Sequence, residues 1–270
     1  VYVLFLHGTS RALDPQLHVH ALAVNLCLRS DGTTGTIRSR DLYWHKMAAG
    51  ALFRAELAHL LATELGLTIV PDGWKFKIAG VPDSLCEEFS QRRKKIELLA
   101  KEEGWSSAAA LAKLAVASRP AKRNVPLAEC FAHWAATADK HGFTQEAALK
   151  LLAEGRERLA AQASGAGLTR AATAGVGQAR RESPKAACTL SVKPPVEQPP
   201  VATSTAAGRE TAVLQAFLDA VDALASFKSH FPERDLVRET ATRALACGAS
   251  ASEVLAAVKQ GVERFEHRIE

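Results

Sequence analysis

The sequence predicts an α+β protein in which a partial antiparallel sheet precedes a helical region. Its first eighty residues combine short runs rich in apolar and β-branched residues with one long stretch of helical periodicity. Strand-type segments then disappear after Gly80-Val81-Pro82. The strands do not alternate regularly with helices, so we do not expect a parallel βαβ repeat.

Composition divides the chain into three predicted parts. Residues 1–162 form the first, with a sheet in 1–80 and helices in 81–162. Residues 163–208 are rich in Gly, Ala, Ser, Thr and Pro and poor in bulky apolar residues, so burial cannot offset their ordering entropy. They predict a flexible linker. Residues 209–270 return to helical spacing and predict a small helical unit, whose own core would be marginal at that size.

Two neighbouring strands are predicted at the start of the chain. Residues 1–6 are apolar and lead to His7, and residues 17–29 read as the next strand. Asp14-Pro15 between them is a turn signal, because proline fixes φ and disfavours helix in the residue before it. Asp31-Gly32 predicts a further hairpin turn.

Helical spacing begins at residue 41 and continues to the stop signal at Gly66. A second hairpin is expected around Pro71-Asp72-Gly73. Outside the linker, the sequence after residue 80 predicts only helices, and Asp83 is the predicted cap of the first of them. Their predicted ranges are 83–103, 106–118, 126–140, 144–162, 210–226, 233–247 and 251–267.

Overall charge and cysteine pattern narrow the class of protein. The net charge is +5 with a pI near 9.0, which makes contact with a polyanion plausible. The 5 cysteines are scattered without a CxxC pair, which argues against a disulfide framework or a cysteine zinc site. No apolar run is long enough to span a bilayer. We therefore expect a cytoplasmic protein without membrane insertion.

Three histidines mark the candidate metal site of the sheet. His18 and His20 lie two residues apart on one predicted strand, so both imidazoles project from the same face. If the preceding strand lies alongside, His7 meets them. Three neutral imidazoles suit a divalent transition metal and leave coordination positions open for water or substrate. The alternative is that these are ordinary histidines satisfied by hydrogen bonds.

Basic residues in the helical region form a candidate phosphate-contacting surface, because lysine and arginine release counterions when they neutralise phosphates. The alternative is an ordinary solvated helix face. The residues are Arg92, Arg93, Lys94, Lys95, Arg119, Lys122 and Arg123.

The segment around the histidines resembles the histidine-triad segment of MobF-type (TrwC/TraI-like) conjugative relaxases. An apolar strand ending in histidine is followed by Thr-Ser-Arg, Asp-Pro, Leu-His-x-His and an asparagine. The resemblance covers roughly residues 1–145. The residues that carry it are His7, Thr9-Ser10-Arg11, Asp14-Pro15, Leu17-His18-Val19-His20 and Asn25, with weaker similarity at Asp41-Leu42-Tyr43, Phe53-Arg54-Ala55-Glu56-Leu57-Ala58, Ile78-Ala79-Gly80-Val81-Pro82 and Phe89-Ser90.

This resemblance implies an enzyme that nicks plasmid DNA at its transfer origin. It implies that His7, His18 and His20 hold a divalent ion, with Mg, Mn, Zn and Ni all open. It also implies that the basic residues hold single-stranded DNA, with other relaxosome or conjugation proteins as further partners. Residues 209–270 look like the opening helices of the helicase region that follows in such proteins, although no P-loop pattern occurs in this chain.

The chain departs from the family pattern in its tyrosines. In the family, the nucleophile is a tyrosine near the N-terminus of the whole protein, well before the histidine triad. Neither Tyr2 nor Tyr43 corresponds to that position. The nucleophile and the acidic residue that supports the triad are expected upstream of Val1. Asp14 is the nearest other carboxylate, but the Asp-Pro turn already accounts for it. We therefore expect no catalytic residue in this chain.

The leading hypothesis is a relaxase fragment that binds metal and single-stranded DNA but does not nick alone. One alternative is a non-catalytic DNA-binding or regulatory module derived from a relaxase. Another is a hydrolase in which three histidines and a metal activate water, which would need a general base near the triad.

Overall fold

The computed structural model describes residues 2–121, 123, 125–165 and 206–266. It is an α+β structure with short antiparallel hairpins, which confirms the predicted class. Within the part of the chain that the structure describes, no helix is long and apolar enough to cross a bilayer.

The strands form three separate two-stranded antiparallel ribbons. The first pairs β1 with β2, the second β3 with β4 and the third β5 with β6. Their bounds are Tyr2–Thr9 (β1), Pro15–Ala23 (β2), Cys27–Leu28 (β3), Thr34–Gly35 (β4), Ile69–Asp72 (β5) and Lys75–Ile78 (β6).

Nine α-helices accompany these strands within the described residues. A short 3-10 helix, Leu245–Cys247, follows the eighth. The α-helices are Ser39–Leu65 (α1), Asp83–Glu88 (α2), Gln91–Glu102 (α3), Ala108–Ala117 (α4), Leu127–Lys140 (α5), Gln145–Gly165 (α6), Ala206–Ala225 (α7), Glu233–Ala244 (α8) and Ala251–Glu266 (α9).

The strand predicted over residues 17–29 is interrupted after Ala23, where β2 ends, and resumes only at Cys27–Leu28 as β3. Between the two strands is a tight turn, in which the Leu26 N–H donates to the Val24 carbonyl at 2.8 Å. The Asn25 side-chain oxygen accepts a hydrogen bond from the Ile37 N–H at 2.9 Å. An asparagine that bonds a distant backbone group in this way ends a ladder rather than continuing it.

The single helix predicted over residues 83–103 is wrong, because the chain breaks at Phe89 and Ser90 between α2 and α3. The predicted cap was Asp83, but the structure places Pro82 at the N-cap of α2, without a side-chain cap. At the second helix, the backbone N–H groups of Gln91 and Arg92 stabilise the carboxylate of Asp14, which lines the same cleft as Ser90 and Arg92. This cap comes from a distant loop, so local sequence gave no signal for the break.

By packing, the chain separates into two compact units. Unit 1 comprises residues 1–43 and 80–150, and it contains the β1–β2 ribbon with α2 to α5. Unit 2 comprises 44–79 and 151–270, of which 166–205 and 267–270 lie outside the described residues. The linker predicted for 163–208 falls mostly in that gap. The predicted domain boundaries followed composition along the chain and stay a prediction.

Unit 2 is built on a stripe of small residues along α1. Its buried members recur at helical spacing, which lets other elements approach the α1 backbone closely. They are Ala48, Ala51, Ala55, Ala58 and Ala62. Phe217 and Val258 pack in the same cluster as Ala48, whereas Ile69 and Leu245 pack with Ala55 and its neighbours.

The C-terminal helices pack mainly on one another, and small residues of α1 complete their core. α7, α8 and α9 share apolar clusters with α1, which the expectation of a small separate helical unit did not include. The predicted cap of α9 is present, because the Ser250 hydroxyl accepts from the Glu253 N–H at 3.2 Å. The Glu253 carboxylate in turn accepts from the Ser250 N–H at 2.8 Å, which completes a capping box.

Replacing Phe217 by alanine tests the buried core that contains both Phe217 and Ala48 of α1. Phe217 is 1% exposed, so F217A should lower the free energy of unfolding of unit 2 by about 3–5 kcal/mol through lost burial and the cavity left behind. Phe227, which is 89% exposed, provides the matched control, and F227A should change it by less than about 0.5 kcal/mol. Urea unfolding followed by circular dichroism measures both; equal midpoints for the two variants would contradict the shared core.

Candidate metal centre and anion cleft

The register of the β1–β2 ribbon brings the three histidines to one face. His7 lies directly opposite His18, and Phe5 lies opposite His20. Since side chains alternate along a strand, His18 and His20 share a face, and the cross-strand partner of His18 shares it too. The sequence-based expectation that the three imidazoles meet is met in the structure.

The imidazole rings are close enough to share one ion. Their centroids are 5.5 Å apart for His7 and His18, 4.5 Å for His7 and His20, and 5.0 Å for His18 and His20. One ligand nitrogen from each lies within 4.8 Å of the others. Ligand nitrogens in a tetrahedral site are about 2.1 Å from the ion and hence about 3.4 Å from one another. Small side-chain rotations therefore suffice, and the donor set fits a divalent transition metal.

The orientation of His18 is set by its own strand. Its Nδ1 lies 2.9 Å from the Gln16 carbonyl oxygen, and a carbonyl can only accept. The proton is therefore on Nδ1, which leaves the Nε2 lone pair of this half-buried side chain available for an ion. A backbone carbonyl is a common partner for the distal nitrogen of a metal-bound histidine.

The loop that joins the two strands, Ser10 to Asp14, is called the hairpin loop below. The Ser10 hydroxyl oxygen accepts from the Ala12 and Asp14 N–H groups at 3.0 and 3.1 Å. It donates to the Asp14 carboxylate at 3.2 Å. Leu13 adopts a φ of 67°, a conformation that is uncommon for a residue with a side chain. Trp134 of α5 donates its indole N–H to the Leu13 carbonyl at 2.8 Å.

Asp14 points away from the histidines and into the protein. Its side chain is only 7% exposed, and burial raises the pKa of its carboxyl. Hydrogen bonds from the Ser10 hydroxyl and from the Arg92 and Gln91 N–H groups oppose that rise, because they stabilise the carboxylate. This carboxylate caps a helix and is not placed to act as a base beside the triad.

The three histidines line an open cleft of about 280 Å³, called the triad cleft below. Three arginines line the same cleft, one from the hairpin loop and two from the segment after α4: Arg11, Arg119 and Arg123. Among the described residues that line it there is no carboxylate. Arginine and imidazole together favour a bound anion, and phosphate oxygens suit both groups.

An adjoining cleft of about 520 Å³ shares Ser10, Arg11 and Arg119 with the triad cleft. Arg92 and Arg93 of α3 line it. It extends the basic surface away from the histidines along α3, which is the geometry of a groove that follows an extended polyanion.

The predicted basic residues fall into different environments. Arg119 and Arg123 are exposed in the triad cleft, and Lys122 lies outside the described residues. The half-buried Arg92 donates to the Ser118 carbonyl at 3.0 Å and to the Ala115 carbonyl, so its guanidinium holds the C-terminal end of α4.

The other three members of the α3 tetrad are exposed. Arg93 pairs with Glu97 one turn along the helix, and Lys94 lies 3.9 Å from Glu88. Exposed pairs of this kind contribute little to stability. A role for the tetrad in DNA binding stays a prediction.

Sequence reasoning did not single out Arg11 or Trp134 as parts of the site. Arg11 belongs to the Thr-Ser-Arg motif, which was the signal that could have identified it. Trp134 is 121 residues from Leu13 along the chain, and nothing local indicates their contact.

Neither tyrosine lies at the triad. Tyr2 is on β1 five residues before His7, about 16 Å away at the rise of a strand and on the opposite face of the ribbon. Tyr43 lies on α1 with 70% of its surface exposed.

Comparison with known proteins bears on this arrangement. The model of the TrwC relaxase family matches residues 1–141. The multifunctional conjugation protein TraI of Escherichia coli (strain K12) is 31% identical over 154 residues, which make up 53% of this chain and 8% of TraI. The chain therefore spans a small part of that relative.

Solved structures of the conjugative relaxase TrwC are also similar. A metal-free complex with oriT DNA is 32% identical and has a TM-score of 0.49, over 52% of this chain and 51% of that one. A copper-bound complex with oriT DNA is 33% identical and has a TM-score of 0.48, over 52% and 49% of the two chains. The family match takes in the β1–β2 ribbon, the hairpin loop and the segment that carries Arg119 and Arg123. The chain belongs to the TrwC relaxase family.

Proposed function

We propose that this chain provides the metal-holding and DNA-holding part of a conjugative relaxase that nicks one strand at a transfer origin. The observation that carries the proposal is the triad cleft, in which three imidazoles and three guanidinium groups share one open space without a carboxylate among the described lining residues. Such a set favours a phosphate of a nucleic acid backbone over a cationic or neutral substrate.

His7, His18 and His20 would hold the divalent ion. When bound, it would act as a Lewis acid that stabilises charge on the oxygens of the scissile phosphate. The chain's own contribution is to hold the imidazoles on two paired strands, with the His18 tautomer fixed by the Gln16 carbonyl. We leave the native ion open among Mg, Mn, Zn and Ni, with copper bound in one relaxase structure.

Arg11, Arg119 and Arg123 would hold phosphates on either side of the scissile one. A single DNA strand that crosses the triad cleft would pass several guanidinium groups at once. The relaxase structures are of complexes with oriT DNA, which supports a single strand of the transfer origin as the ligand here. Other relaxosome proteins and a cytoplasmic location remain predictions.

The tyrosine nucleophile would come from polypeptide outside these residues. Tyr2 lies on the wrong face of the ribbon, and the back of that ribbon exposes a row of apolar side chains. Leu4, Leu6, Leu17 and Val19 are each more than half exposed there. A two-stranded ribbon is marginal alone, and an exposed apolar face of this kind indicates a missing partner. We propose that a further segment covers this apolar face, and that another part of the same polypeptide brings the tyrosine to the opposite face, where the histidines lie.

The second candidate is a non-catalytic DNA-binding module derived from a relaxase. The absence of a tyrosine at the triad favours it. It differs from the leading proposal in one measurable way, because its DNA affinity would not depend on the histidines or on a metal. A water-activating hydrolase is disfavoured, since Asp14 is engaged with α3 and the described lining of the triad cleft offers no other carboxylate base.

Removal of the imidazoles tests the metal assignment. The triple variant H7A/H18A/H20A should lose at least about tenfold in affinity for Mn²⁺, Zn²⁺ or Ni²⁺, because three ligands are removed from one site. Isothermal titration calorimetry measures it. H133A/H141A serves as the control, since neither residue belongs to the cluster. Unchanged titrations for the triple variant would refute the assignment.

Removal of Arg119 and Arg123 tests the DNA assignment. R119A/R123A should bind a fluorescent single-stranded oligonucleotide about tenfold more weakly at 0.1 M salt. The slope of log K against log salt should flatten by about 1.4, since each single-strand phosphate contact contributes about 0.7. Fluorescence anisotropy over a salt series measures both. R38A is the matched control, because Arg38 is exposed, lies in the same unit and lines none of these clefts. Equal losses in R38A would point to net charge rather than to the triad cleft.

The missing nucleophile predicts that the chain alone does not nick an oligonucleotide that carries a transfer origin. Adding the segment of a relative that bears the tyrosine should produce nicking and a covalent protein–DNA adduct, seen on a denaturing gel. A Tyr→Phe form of the added segment should restore neither. Nicking by the chain alone, or no nicking by a complex that forms, would contradict this proposal.

A further inference from the structure

We propose that Asp14 is a positioning residue of the relaxase site, which locks the hairpin loop against the helical region so that Arg11 and the histidines hold one arrangement. The inference rests on the proposed function, because it concerns how the metal and DNA groups are held. Asp14 itself touches neither the histidines nor the space in front of them.

The Asp14 carboxylate connects the hairpin loop with the start of α3. It accepts the Ser10 hydroxyl at 3.2 Å within its own loop, it lines one cleft with Ser90 and Arg92, and the Gln91 and Arg92 N–H groups at the start of α3 stabilise its charged form. The first N–H groups of a helix have no partner inside the helix, and a carboxylate there also meets the positive end of its dipole. No local side chain caps α3, so Asp14 supplies that cap.

The chain of contacts continues from Arg92 to the basic segment. The guanidinium of Arg92 donates to the Ala115 and Ser118 carbonyl groups at the end of α4. Arg119 follows directly. On the loop side, the Arg11 guanidinium reaches the Pro120 carbonyl at 3.5 Å. The Asp14 carboxylate therefore lies between the hairpin loop, which carries Arg11, and the contacts that lead to the segment with Arg119 and Arg123.

The hairpin loop is held from its other side as well. Trp134 fixes the Leu13 carbonyl, while Leu13 keeps a positive φ that an unrestrained leucine would rarely adopt. Strained backbone of this kind persists only where surrounding contacts over-determine it. Asp14 and Trp134 therefore hold adjacent residues of one short loop, and Arg11 projects from that loop into the triad cleft.

A buried carboxylate behind a basic cleft is costly unless it is well satisfied. Burial raises the pKa of Asp14, whereas the Ser10 hydroxyl and the N–H groups at the start of α3 stabilise its charged form. A purely local Asp-Pro turn would not require the helix contacts. The geometry instead matches the outer partners of metal sites, whose removal weakens binding by about 10- to 100-fold.

The test compares D14A with D14N in the full chain. D14A removes both carboxylate oxygens. The affinities for Co²⁺ and for the single-stranded oligonucleotide should each fall about tenfold, and the visible absorption spectrum of bound Co²⁺ should change. D14N keeps an oxygen that can accept from Gln91 and Arg92, so it should restore both affinities to within about threefold of the parent. Restoration by the conservative variant and the Co²⁺ spectrum distinguish positioning from a general loss of stability.

D31A is the matched control. Asp31 also closes a turn in unit 1, accepting the Thr33 N–H at 2.9 Å and the Thr33 hydroxyl at 2.8 Å, but it lines none of these clefts. It should bind like the parent. If D14A does not fold, S10A and W134F each remove part of the same lock and should shift the Co²⁺ spectrum in its place.

The outcomes separate the two proposals. A folded D14A with the parent's Co²⁺ spectrum and oligonucleotide affinity would overturn the positioning role and leave the proposed function standing. A parent chain that binds neither Co²⁺ nor the oligonucleotide would overturn both.

Discussion

The pairing register of the β1–β2 ribbon is the constraint on which the site depends. His7 faces His18 only in the observed register, and a slip of one residue would turn a histidine to the other face. The short hairpin loop helps to fix that register. The loop is thus a structural part of the site as well as the source of Arg11.

Charge is arranged around this loop with a clear division. The guanidinium groups lie in front, where the histidines are, whereas the one carboxylate of the loop is turned inward to the start of α3. If Asp14 faced the triad cleft, it would pair with the arginines and repel a phosphate. Its burial therefore keeps a negative charge out of the triad cleft, while Asp14 lines the adjoining cleft together with Arg92 and Arg93.

The local features of the fold could be predicted from sequence, and the distant ones could not. Period-two spacing and turn residues identified the ribbon and brought His7, His18 and His20 together, and helical periodicity located α1 and the C-terminal helices. The break between α2 and α3 escaped prediction because its cap, Asp14, comes from 77 residues earlier in the chain. The alanine stripe of α1 reads as a weak amphipathic signal, so its partnership with Phe217 was not apparent. For the candidate site, the motif identified the imidazoles, but the contacts of Arg92 and Trp134 depend on tertiary packing.

The inward orientation of the Asp14 side chain would also affect the rate at which the proposed DNA ligand binds. The described lining of the triad cleft contains three guanidinium groups and no carboxylate, which favours a positive local potential. That potential reaches about 10 Å into a solution of 0.1 M salt and further in more dilute salt. A passing DNA strand would be drawn in before any base is read, so the encounter rate would be governed by ionic strength and discrimination would be left to the slower step of fitting the strand to the site.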